Sequence, residues 1–112
     1  MNTIQLNTAA EKIIQDSINP KKTREILEFT LNQMKTINSI PDETQTEVLA
    51  NHVAEMVERS EDNNQLDDVD VSVFDGLPND SVELAGRVID EIGNLKDQEK
   101  YILAVHFEVA RK

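Results

Sequence analysis

The chain has no cysteine. That absence removes disulfides, thiolate metal sites and cysteine nucleophiles together. Cations are also scarce, with 11 Lys plus Arg against 22 Asp plus Glu and a formal net charge of −11. Binding to RNA, DNA or an anionic membrane needs a positive footprint, so none of these is expected as the direct partner. Glycine and proline number three each in 112 residues, which leaves little turn material and favours long helices. Aromatics are 4% of the chain, so a core must be built from Ile, Val and Leu within a hydrophobic content of 38%. The longest unbroken apolar run, Tyr101 to Val105, is far short of the roughly 20 residues of a membrane span. Met1 to Ala10 lacks a charged start followed by an apolar stretch, so no secretory signal is read and a cytoplasmic protein is expected.

What is present is helical patterning, and it predicts one all-α domain, a compact bundle of about five helices spanning residues 1–112. The first helix is expected over 9–18, with Thr8 and Glu11 as a capping box and Asn19-Pro20 as its stop. The second starts near Thr23 and carries Ile26, Leu27, Leu31, Met34 and Ile37 on one side. The third runs from about Glu43 to Ser60, with Val48, Leu49, His52, Val53, Met56 and Val57 in one stripe. The fourth covers about Ser81 to Ile92, capped by Asp80 and stopped at Gly93-Asn94. The fifth, from about Gln98 to Arg111, is apolar nearly all round, as expected of a central helix. Between the third and fourth, residues 61–80 hold seven acidic groups and no Lys or Arg. Alternating Val69, Val71 and Val73 predict a short extended piece within this irregular stretch. Charge is divided unevenly, with net +1 over residues 1–41 and −12 over 42–112.

Most catalytic chemistries fail on residue type or spacing. A calcium loop starting at Asp68 would need glycine at its sixth position and glutamate at its twelfth, where Val73 and Asn79 stand. His52 and Glu55 occur in the order His-x-x-Glu, the reverse of the di-iron bundle motif, and no HExxH is present. No metal and no cofactor is therefore expected. The five serines have no evident base, and there is neither a nucleophile elbow nor a glycine-rich phosphate loop. The chain reads as a non-enzyme.

The two histidines are what remains, and both lie inside strongly apolar helical segments. Arg59 is seven residues after His52, two turns along the same face, near where an anion would sit. Glu99 is seven residues before His106, where a carboxylate could hold a ring N–H and fix the tautomer. A neutral imidazole with one free nitrogen is a competent nucleophile toward a phosphoryl donor. A phosphoryl group there would add nearly two negative charges to an already acidic domain, which is the physics of a switch.

These residues resemble the PTS regulation domain, PRD. Leu49-Ala-Asn-His52-Val-Ala-Glu-Met-Val-Glu-Arg59 is similar to that family's first histidine motif, and Leu95 to Phe107, with Glu99 and His106, to its second. The motifs cover about residues 23–112 and leave the first helix as an extra element. The resemblance implies a bacterial regulator with a five-helix bundle, commonly a homodimer. In such domains histidines accept phosphate from the phosphotransferase system's phosphocarrier or from its transporter components. Carried over, His52 and His106 are the phosphoacceptor candidates, Arg59 and Glu99 support them, and an effector protein of unknown identity receives the signal. The rival expectation is a helical adaptor with two buried, unmodified histidines and an acidic docking surface.

Overall fold

The computed structural model describes residues 6–64 and 70–111. Five α-helices follow one another in the chain: α1 Thr8–Asp16, α2 Pro20–Lys35, α3 Glu43–Asp62, α4 Asn79–Ile92 and α5 Glu99–Ala110. The Cα radius of gyration, 13.2 Å, is that of one packed domain of this length.

Local chemistry accounts for the helix ends, in places differently from the sequence expectation. Asn7, one residue before Thr8, caps α1 by accepting from the Ala10 N–H at 2.8 Å. α1 ends at Asp16, two residues short of Ile18, with Ser17 as its cap, and Asn19-Pro20 opens α2 rather than stopping α1. Asn19 accepts from the Lys22 N–H, and Pro20 takes the first helical position, where a missing N–H costs nothing. The second helix therefore begins a turn earlier than Thr23. In α3 the cap Asp42 and Gln45 make the reciprocal bonds of a capping box, at 2.8 and 2.9 Å. Asn63 ends α3 in the left-handed conformation, φ 55°. Asp80 does not cap α4, which starts at Asn79 after Pro78. Its carboxylate instead accepts from Arg111 at 2.6 Å and ties the start of α4 to the end of α5.

The extended piece expected around Val71 and Val73 is a short 3-10 helix, Val71–Phe74, opened by the Asp70 side chain bonding the Ser72 N–H. Val69 and Asp68 lie outside the described residues. Phe74 stacks on Tyr101 of α5 with ring centroids 5.8 Å apart, which fastens this turn to the bundle.

The central helix is α3 and not α5. It touches each of the other four, whereas α5 lies mainly along α4 and meets α3 more lightly. The core gathers Leu27, Met34, Leu49, Val53, Met56, Val88, Leu103 and Phe107, each almost fully buried. The apolar surplus of α5 goes outward, leaving Val105 38% and Val109 49% exposed. Two buried serines fix the packing across long sequence separations. Ser39 Oγ donates to the Phe107 carbonyl and Ser60 Oγ to the Gly93 carbonyl, both at 2.7 Å. No helix among the described residues is long and apolar enough to cross a membrane.

Candidate functional site: a histidine pair between α3 and α5

Helices α3 and α5 run antiparallel, and three residue pairs mark their register. At one end Gln45 Nε2 donates to the Val109 carbonyl at 3.4 Å. In the middle the rings of His52 and His106 lie 4.8 Å apart between centroids, tilted by 30°. At the other end Arg59 forks onto Glu99, Nη2 to Oε1 at 2.6 Å and Nε to Oε2 at 3.3 Å. Arg59 follows His52 by the interval at which Glu99 precedes His106. In an antiparallel pair, aligning one couple therefore aligns the other.

The fold thus brings all four candidate residues onto one seam, with one reassignment. Glu99 does not take up the His106 ring N–H. Both its oxygens accept from Arg59, because its carboxylate is fully buried and needs a paired cation there. The positive charge of Arg59 helps to lower the proton affinity of His52, but its hydrogen bonds go to Glu99.

Burial, first, and then the neighbouring charges of His106 and Arg59 push the His52 pKa down to about 3. Its Nε2 is out of contact with solvent and has no hydrogen-bond partner. Burial also lowers the pKa of His106. Both rings are consequently neutral at physiological pH, the form that keeps a nucleophilic lone pair.

The two rings are not equivalent. His106 lines a cavity of about 270 Å³ together with Met34, Pro41, Gln45, Val48, Leu49 and Val109, and His52 does not line it. Val48, on its wall, is 50% exposed. The sequence places Met34, Val48 and Leu49 in apolar helix stripes and does not mark them as a cavity wall. The available signal was the all-round apolar surface of α5, more than one buried face can use. Among the described residues no group of three or more potential metal ligands converges.

Comparison with solved structures matches this arrangement to a PRD-containing transcription regulator from Lactobacillus casei ATCC 334, determined at 1.38 Å resolution. The TM-score is 0.94 with 30% sequence identity over 97% of both chains, so the likeness takes in α1 and extends beyond residues 23–112. The chain belongs to the PRD family. No family model matches the sequence, and no curated protein matches it.

Proposed function

We propose that this protein is a bacterial, cytoplasmic, non-enzymatic regulator of the sugar phosphotransferase system, switched by phosphorylation of His106, with His52 as the ring behind it. The observation that carries the reading is the pairing of two neutral histidines across α3 and α5, one of them lining an open cavity. The similar chain is a PRD-containing transcription regulator, which supports a role in gene control.

In the transfer, the unprotonated nitrogen of His106 attacks the phosphorus of a phosphohistidine on the phosphocarrier or a transporter component. A new N–P bond forms, the donor's N–P bond breaks, and the donor imidazole leaves with its electron pair. The added charge on an acidic domain changes how it binds an effector protein and how two copies meet. The half-exposed valines beside His106 give a homodimer an apolar contact that the phosphate would disturb. A net charge of −11 opposes direct nucleic-acid binding.

The test is intact-mass analysis after incubation with phosphoenolpyruvate, the general phosphotransferase enzymes and the phosphocarrier. His52→Ala and His106→Ala variants run alongside. An acid-labile gain of one phosphate, lost in His106→Ala, is the expected outcome. No gain from any donor, transporter components included, would leave the adaptor reading, which the burial of His52 Nε2 favours.

A further inference from the structure

We propose that Arg59 changes partner when a phosphoryl group arrives at the histidine pair, leaving Glu99 and freeing the first turn of α5. This inference rests on the phosphoacceptor reading above. Arg59 follows His52 by two turns of α3 on the side that meets α5, and His52 lies against His106. Its guanidinium is at present committed to one carboxylate. A phosphoryl group carries nearly two charges and three acceptor oxygens, so it outcompetes a carboxylate for a forked guanidinium donor. Other cations nearby are engaged elsewhere: Arg111 with Asp80 and Glu108, and Lys100 with Asp97.

The partner left behind is what turns a local event into a structural one. Glu99 is the first residue of α5 and is fully buried. No side chain caps that helix start. The N–H groups of Glu99, Lys100 and Tyr101 reach back only three residues, to the carbonyls of Lys96, Asp97 and Gln98, at 3.1 to 3.2 Å. The ion pair with Arg59 thus pins a weakly closed turn, and a buried carboxylate deprived of its cation must draw in water or a proton. Tyr101 stacks on Phe74, so loosening this turn also releases the 3-10 helix Val71–Phe74. Glu99 is then a positioning residue, holding Arg59 ready and registering its departure.

The experiment uses the whole chain and chemical phosphorylation by phosphoramidate, which needs no protein donor. A ring nitrogen takes the phosphoryl group as the phosphoramidate P–N bond breaks, and ammonia leaves with that electron pair. Backbone amide exchange and the Arg59 Nε–H resonance are then compared before and after. We expect the Arg59 signal to shift and the Leu103 and Ala104 amides to exchange on the order of a hundredfold faster. In Glu99→Gln these amides should exchange fast from the outset and respond little to phosphate. A phosphohistidine confirmed by mass with the Arg59 signal and α5 exchange unchanged would overturn the proposal. So would a chain that accepts no phosphoryl group even from phosphoramidate. Failure of the protein donors alone, with these shifts present after phosphoramidate, would end the phosphotransferase reading and leave the partner exchange standing.

Discussion

Acidifying the solution should destabilise this protein well above the pH at which its carboxylates titrate, and His52 should be the main cause. Its pKa is about 3 in the folded chain, against an unfolded value of about 6.5. Between those values the unfolded state binds a proton that the folded state refuses, so stability rises with pH and falls on acidification. Integrating over the interval from about pH 7.5 to about pH 5 gives a loss of roughly 2 kcal/mol from this one ring. That is a large fraction of the roughly 5–15 kcal/mol available to a domain. Burial of His106 adds a loss of the same sign. The carboxylates act in a different window. Arg24 and Arg111 hold Glu11 and Asp80 below their ordinary values of 4.5 and 3.8, so their stabilisation is present above those values and disappears only at lower pH. Urea unfolding followed by circular dichroism across this range measures the slope. His52→Gln should flatten it by about 2 kcal/mol, whatever its effect on absolute stability. An unchanged slope in His52→Gln would refute the reasoning. So would a His52 ring resonance that titrates near the ordinary histidine value in the native protein.

Three further outcomes follow from the packing. Arg59→Ala strands the buried Glu99 carboxylate and should cost about 3 kcal/mol in urea unfolding, while the double change Arg59→Met with Glu99→Leu should recover much of it. Phe107→Ala removes a fully buried ring from the core and should cost about 3–5 kcal/mol, read as a lowered thermal midpoint. Asp42→Ala removes the side-chain acceptor of the Gln45 N–H, one of the two bonds of the α3 capping box, and should cost about 1 kcal/mol; amide exchange should quicken in the first turn of α3 and stay unchanged in α4.

Much of the bundle was legible because the chain repeats one rule. Apolar residues recur at helical spacing in every segment that became a helix, and Pro, Gly and Asn mark most of the breaks. The errors have physical causes. Asn19-Pro20 reads as a stop but serves as a start, because a proline that cannot continue one helix suits the first position of the next, and α1 has already ended at Asp16 with Ser17 as its cap. Thr8 and Asp80 are good capping types, but Thr8 is the first residue inside α1 and Asp80 the second inside α4, where neither side chain serves as the cap. At the site the four residues could be named from spacing, yet Glu99 was matched to the wrong partner. Reading each helix alone places Glu99 on the face of His106; only the facing helix supplies Arg59.

The sequence by itself determined the helices, their apolar faces, the acidic surface and two histidines each accompanied by a charged residue two turns away. Those are consequences of periods and charges, which are local quantities. The tertiary structure alone decided that α3 is central, that α5 turns Val105 and Val109 outward, and that His52 is sealed while His106 lines a cavity. It also joined the two seven-residue spacings into one antiparallel seam. Burial, and with it proton affinity and the choice of ion-pair partner, depends on what packs from the other side.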